Sequence, residues 1–587
     1  MLAPAGRWIA ERVGHGPARR CVVPGAALLT ILGAARGAAA QEAGTPGPCR
    51  GQTISDVRVT AEPPYTGRQG RWWETPARLA NAIHTTTKPS IIRRFLLLDK
   101  GDVCTERKRA ESERILRAQP FLAQAHVTTE ADGHGGVILV VETRDELSPV
   151  FDVRASGASP YLDGVTLGDG NMLGGATYAA AAWGDGVFRD RYAARIIDYQ
   201  FLGRPYVLDM FGERGDAGIS SWSIEASHRF LTDLQRIAWR VSAGNRSELF
   251  DFQRGNLDPV RVGITRQFYD VGGVVRIGLP GRLSLFGLSF SGESDEAGRP
   301  PVPDTGVRYD AFLPQFRRRK NARVNALWGV RNLYYLPVER FDALSAEEDM
   351  PVGFQLGAQL GRSLQVLGST DDDILVAADV YAGFGTARAF AMLEASGEGR
   401  QNHDQNDWDG IIGSARLTMY DRIQRKHTLM ARMEWSGGWK SPVPLQLRLG
   451  EPDVGVRGYG ASHDAGARRA VMRLEDRWYL GSMRQQADVG VAFFADAGRL
   501  WAGDSPFGVN TPIKVGAGFS LLAAVPAGSR RTWRVDVGFP LSPDGRAKWE
   551  VRVSTVNVFQ FGLGGHEPRD IRRSREVSVP SSVYDWP

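Results

Sequence analysis

Past residue 40 this sequence has no run of about eighteen consecutive apolar residues, the length a helix needs to cross a bilayer. Its mean hydropathy is only −0.26. A chain that crosses a membrane by helices is excluded on both counts. Cysteine is scarce, with 3 in 587 residues, and the 9 histidines are scattered without metal-ligand spacing. The G-x-S-x-G and H-E-x-x-H signatures are absent. No catalytic constellation, metal centre or cofactor cradle emerges, so the expectation is a protein that is not an enzyme. A strong charge of one sign is missing as well. Net charge is +6, but residues 1–40 hold Arg7, Arg12, Arg19, Arg20 and Arg36 against Glu11, leaving +2 for the rest. The basic balance belongs largely to the leader and does not point to nucleic acid.

That leader is informative. Arg19 and Arg20 precede an apolar run from Val22 to Leu32, and Ala38-Ala39-Ala40 stands before Gln41. A basic flank, an apolar centre and an A-x-A exit read as a secretory signal peptide over 1–40. Cys21 lies ahead of the apolar run and is not followed by the small residues of a lipoprotein site, so no lipid anchor is expected. Export leaves Cys49 and Cys104. An even count in an oxidising compartment suggests one disulfide, with two free thiols as the alternative.

After a Pro/Gly linker at 41–53, residues 54–147 show helical periodicity. Ile54, Val57 and Val59 open a short strand. Helical segments follow over Pro76 to Ile83 and Pro89 to Leu98, and Thr105 precedes a charged helix from Glu106 to Arg117 ended by Pro120. Phe121 to Thr129 and Val137 to Glu142 read as strands around the turn at 132–135. The expected order is β-α-α-β-β. With "RILRAQPFLAQAHV" joining helix to strand, this segment resembles one POTRA (polypeptide-transport-associated) domain. Its exposed strand edge suits strand addition by an unfolded client, or else serves a bare spacer.

From 148 to 563 the pattern changes to segments of about ten residues split by turn clusters. In 532–539, Trp533, Val535, Val537 and Phe539 alternate with Arg534, Asp536 and Gly538. In 549–561, Trp549, Val551, Val553, Phe559 and Phe561 oppose Glu550, Arg552, Ser554 and Gln560. A period of two puts each set on its own face. Other strands fall at 175–183, 189–200, 218–229, 234–243, 318–330, 372–384 and 409–423. Abundant glycine (69) and aromatics fit either a soluble all-β protein or a membrane barrel. A chain this long, behind a signal peptide, favours closure into a barrel, which removes sheet edges. Candidates exceed sixteen; assigning the surplus to loop hairpins or to one strand counted twice gives a mainly β fold, a transmembrane antiparallel barrel of about 16 strands behind one small α+β domain. His403, Asp404 and Asp407 in a polar loop offer ligands to a cation, but a solvated loop is the simpler reading. The tail, 564–587, reads as a flexible or lumen-plugging end.

One stretch narrows the field. "LRLGEPDVGVRGYGASHDAG" (447–466) is centred on Val456-Arg457-Gly458-Tyr459. "RLEDRW" (473–478) and "FFADAGRLW" (493–501) follow, the latter holding Phe494-Ala495-Asp496-Ala497-Gly498. These elements in this order resemble the BamA/TamA superfamily of outer-membrane assembly barrels, with a VRGF/Y loop, an acidic strand position and an F/G-x-D-x-G strand. "GVTLGDGNMLGGA" (164–176) looks like that family's second strand and turn.

Alternation turns Glu475 and Asp496 inward, where an infolded loop can bring Arg457 to both carboxylates. A guanidinium fork suits two such acceptors. Gly458 permits the tight turn, and Gly490 and Gly498 leave room for the loop. Asp476 falls on the face assigned to lipid, which puts it at the interface or breaks the register there. The resemblance implies a lumenal lock of Arg457, Glu475 and Asp496, and an outer-membrane protein with its N-terminal domain in the periplasm. It implies a factor assisting insertion of proteins into that membrane through the seam between 149–157 and 549–561. Expected partners are unfolded outer-membrane or secreted polypeptides, outer-membrane lipid, and a periplasmic chaperone or lipoprotein. The alternatives are a polypeptide translocation pore of two-partner-secretion type, and a passive porin-type channel. A single POTRA-like module argues for an accessory rather than a central role.

Overall fold

The computed structural model describes residues 49–586 apart from 67–73, 157–160, 186–189, 216–218, 256, 301–307, 317, 404–405, 453, 484–485, 543–547 and 558–567. The leader, and Phe559 and Phe561 of the expected last strand, lie outside the described residues.

The N-terminal unit runs β1 (Arg50–Glu62), α1 (Glu74–Ile83), α2 (Pro89–Arg93), β2 (Val103–Thr105), α3 (Glu106–Arg117), β3 (Leu122–Ala131) and β4 (Val137–Asp145). Its sheet has the order β2-β1-β4-β3. β1 lies parallel to β4, and β3 antiparallel to it. Two corrections to the expected order follow. All three named helical segments form although the expected order counted two, and a three-residue strand is added because the chain resumes extended backbone at Val103 right after the Gly101-Asp102 break. β1 also begins at Arg50, inside the stretch expected as linker, where it pairs with β2. Ile54, Ile92, Leu116, Phe121, Val127, Leu139 and Val141 fill the core between sheet and helices. Cys49 and Cys104 are joined as a disulfide with Cα atoms 5.1 Å apart, tying the start of β1 to β2.

The remaining strands close into one barrel of twenty, from β5 (Pro149–Ser156) round to β26 (Glu550–Asn557), which returns to β5. Each wall strand pairs antiparallel with the next wall strand along the chain, as the register of β13 (Arg282–Gly298) with β14 (Arg319–Glu339) illustrates. The loop after β19 (His427–Trp439) carries a small ladder of β20 (Leu447–Arg448) with β21 (Ala465–Gly466). Then come β22 (Arg468–Met483), β23 (Ala487–Trp501), β24 (Lys514–Ala524) and β25 (Arg531–Pro540). A one-turn helix, α4 (Tyr309–Phe312), sits in the loop before β14.

Twenty strands replace the expected sixteen or so. The surplus candidates are wall strands, not loop hairpins. β13 and β17 (Ala389–Asn402) lose their apolar alternation halfway, where Ser, Gly and Glu take over. Such strands read from sequence as one half strand and one half loop. Within the wall, Phe286, Leu288 and Trp328 point outward, whereas Ser289, Arg323 and Asn325 are buried. Apolar out and polar in is the pattern of a barrel wall that meets lipid; a soluble sandwich reverses it.

The N-terminal unit lies across one mouth of this barrel. Asn171 in the turn after β6 (Tyr161–Asp169) donates to Thr87 Oγ1 at 2.7 Å. The Arg114 guanidinium donates to the Leu231 carbonyl at 2.8 Å, and Arg117 pairs with Asp349 at 2.8 Å. Arg144 donates to the Ala527 carbonyl at 2.7 Å. These turns are far apart around the barrel, so the unit spans the opening rather than hanging from one strand.

Candidate functional site: an arginine clasp in the barrel lumen

The chain between β19 and β22 turns into the lumen instead of capping it. Leu449 and Val456 lead it inward, packing with Val471 and Leu500 of the wall and Tyr459. Arg457 then meets β23. Its Nε donates to Asp496 Oδ2 at 2.7 Å and its Nη2 to Oδ1 at 2.7 Å, a two-pronged pairing. The Arg457 backbone N–H adds a third bond to Asp496 at 3.1 Å. Nη1 reaches Glu475 on β22 at 3.2 Å. The guanidinium carbon lies 3.5 Å from the centre of the Phe494 ring, over its face, where the ring's negative quadrupole attracts the cation. Arg457, Glu475 and Asp496 are all buried, so each charge depends on these partners.

Gly458 sits at φ +95, and a Cβ there would meet the backbone of Phe539 and Pro540 at 2.9 Å. The Tyr459 hydroxyl donates to the Ser542 carbonyl at 2.7 Å. A Cβ on Gly498 would strike Val456 at 2.6 Å, so that glycine does make room for the loop. Gly490 serves a different guest: its nearest outside atom is Leu344 Cδ2, at 3.0 Å from an added Cβ. Leu344 belongs to the turn between β14 and β15 (Glu347–Ser363), which also folds inward. Asp476 stays in register on the outer face, near the turn that joins β18 (Asp407–Gln424) to β19. There Trp478 Nε1 donates to it at 3.0 Å and His427 pairs with it.

Sequence reasoning missed half of the clasp. Arg534 on β25 grips both oxygens of Glu475, at 2.9 and 2.6 Å, and Asp536 at 2.7 Å. Arg477 bridges Glu475 to the inward turn, donating to the Phe341 carbonyl at 2.6 Å. On β26, Glu550 accepts the backbone N–H groups of Gly458 and Gly460 at 2.7 and 3.0 Å. Arg552 beside it donates to the carbonyls of Pro452 and Val456 at 2.7 and 3.2 Å. Alternation had placed all five side chains on the inward face; the signal it lacked was which loop atoms would arrive there. The loop is thereby held to β22, β23 and β26 at once.

The polar loop yields less. Asp407 pairs with Lys440 at 2.6 Å, and Asp404 lies outside the described residues. Among the described residues no group of three His, Cys, Asp or Glu side chains lies close enough to hold a metal ion.

No family model and no curated protein matches the sequence. Solved structures do. The chain is similar to BamA from Haemophilus ducreyi lacking POTRA domains 1–3, at 11% identity over 86% of this chain and 85% of that one, with a TM-score of 0.34. It is similar to CdiB from Acinetobacter baumannii, at 11% identity over 86% and 74% of the two chains, with a TM-score of 0.38. It is also similar to CdiB from Escherichia coli, at 14% identity over 87% and 92%, with a TM-score of 0.35.

Proposed function

We propose that this chain is an outer-membrane barrel of the BamA/TamA type that assists the insertion of other proteins into that membrane. The observation that carries the reading is the clasp. Arg457 binds Asp496 and Glu475 while Glu550 and Arg552 bind the same loop from β26, so an inward loop braces the strand that forms one side of the seam. A seam braced from within on one side suits exchange of strand partners. Such exchange is nearly neutral in hydrogen bonds and needs no nucleotide. The N-terminal unit acts as a periplasmic POTRA module. Strand β3 stands at one edge of the sheet, where Glu113 and Arg109 of α3 take the Val127 N–H and carbonyl, and the rest of that edge receives an extended client segment. A passive channel fits less well, because loop, turn and tail all occupy the lumen.

A second reading, passage of a polypeptide through the lumen, is favoured by one observation. A segment of the chain's own tail already lies along the inner wall.

Depletion followed by proteomics of the outer membrane and the medium tests both. Loss of several other barrels is the expected result. Loss of a single secreted protein supports the second reading, and no change in either fraction overturns both.

A further inference from the structure

The residues after Pro568 turn back into the barrel. α5 (Arg569–Ser574) buries Ile571 against Ile412, Leu445 and Leu447. From Arg575 the chain runs along the inner wall, making a tight turn at Glu576 to Val579 and a single 3-10 turn at Val583–Asp585. Glu576 lies beside Asp295 and Arg319, near the far end of β13, and Tyr584 bonds Leu283, near its start. The tail thus descends antiparallel to β13, toward the mouth that carries the N-terminal unit.

Its contacts are of two kinds. One kind reads backbone and is indifferent to sequence. Arg266 donates to the carbonyls of Arg573 and Arg575 at 3.2 and 2.7 Å. Glu293 and Asp379 accept the N–H groups of Val577 and Val583 at 2.9 and 2.7 Å. Arg276 donates to the Tyr584 carbonyl at 2.7 Å. The other kind is selective. Glu576 is buried between Arg323 and Arg400, both of which donate to it, with Arg319 at 3.4 Å. Tyr584 and Trp586, each 0% exposed, fill an apolar socket with Ala238, Val274, Leu285 and Leu327, and the Arg240 guanidinium lies 5.2 Å from the Trp586 ring. A barrel of this size leaves an aqueous channel unless something fills it. A tail serving only as filler needs no buried arginine socket, because unpaired buried guanidinium groups are costly.

We propose that this wall is a binding site for a polypeptide segment that takes the tail's turned path, with an acidic residue followed, eight and ten positions later, by aromatic residues. The chain's own tail occupies it as a displaceable plug. The site deepens the reading of the barrel as a handler of polypeptides and rests on it. A client segment of that chemistry competes with the tail in the lumen.

The test uses the full-length protein in planar bilayers. Glu576→Arg together with Trp586→Ala changes the tail alone and leaves every wall strand intact; heat-modifiable migration on gels verifies the folded barrel. This variant is expected to conduct more than the wild type. A synthetic peptide of residues 568–587 is expected to block it again. The same peptide carrying Glu576→Arg should need about 30-fold or more higher concentration, since losing one partner of a buried charge pair weakens binding at least that far. As a second variant, Gln355→Cys with Ser582→Cys joins two side chains that already touch at 2.9 Å. Once oxidised it should exclude labelled peptide, and reduction should restore binding. Equal conductance of wild type and released variant, equal block by both peptides, or peptide binding to the oxidised form overturns the proposal. If peptide block holds but depletion leaves every other exported protein in place, the functional reading falls and the binding site stands.

Discussion

Glu550 on the last strand accepts the backbone N–H of Gly458 at 2.7 Å, one residue from the arginine that binds Asp496 on β23. The two bonds pull one turn of loop toward two strands that are not neighbours. The loop therefore acts as a brace across β23 to β26. Its integrity depends on both ends.

The arginine end gives the first prediction. Arg457→Ala leaves Asp496 without its two-pronged partner in a buried site. Removing one member of a buried pair costs about 3–5 kcal/mol. The urea midpoint of the barrel in detergent should fall with the slope unchanged. Arg457→Lys should fall between, because an ammonium keeps the charge but not the planar fork. A midpoint unchanged by Arg457→Ala would show that the other clasp members suffice.

The glutamate end gives the second. Glu550→Ala strands the Gly458 and Gly460 N–H groups, at about 1–3 kcal/mol for each buried donor left unpaired. The barrel should stay folded while residues 450–464 become accessible to protease. Continued protection of that loop would place the brace on Arg457 alone.

How much of this was legible in the sequence depends on range. Alternation put Glu475, Asp496, Arg534, Asp536, Glu550 and Arg552 on inward faces, because a strand's period is local. It paired Arg457 with only two of them, since the path of an infolded loop is set by side chains from strands distant in sequence. Glu146 and its partner Ser529 lie 383 residues apart, beyond any local pattern. The tail reads as a solvated Arg/Ser/Pro end or a plug, because the sockets for Glu576 and Trp586 exist only after the barrel closes. The strand count erred where inward and outward positions both turn small or polar, as in Ser291 to Gly298 of β13.

Gly458→Ala forms the third prediction. At φ +95 any side chain is strained, by about 1–3 kcal/mol from the backbone alone. The added Cβ would also press on the fixed backbone of Phe539 and Pro540 at 2.9 Å, which cannot swing aside as a side chain end would. The substitution should therefore cost more than that backbone strain alone, measured by the same urea midpoint. A smaller loss would mean that the turn can relax.

Reduction of the Cys49–Cys104 bridge is the fourth. The bridge closes a loop of 55 residues. Chain-entropy reasoning assigns such a loop about 4 kcal/mol. Cys49→Ser with Cys104→Ser should leave the barrel's resistance unchanged and make residues 50–145 sensitive to protease at lower urea. Equal sensitivity with and without the bridge would show that docking on the barrel mouth supplies the stability instead.

The last prediction concerns pH at the junction of the two units. Glu146 lies between β4 and β5, buried, accepting from the Ser529 hydroxyl at 2.7 Å and the Arg530 N–H at 3.3 Å. Burial pushes its carboxyl above the usual carboxylate range, and the nearby Arg531 charge and the Ser529 hydroxyl offset only part of that. In the undocked chain the group ionises at its ordinary value. The docked junction therefore holds a proton that the undocked one releases. Docking is strongest below the ordinary carboxylate value and weakens as pH rises through the raised one. Hydrogen exchange in the turn at 525–530, corrected for the intrinsic rate, should show falling protection over that window. Glu146→Gln keeps an acceptor oxygen without the charge and should flatten the dependence while leaving protection at low pH in place. If the dependence survives in Glu146→Gln, another group governs the junction.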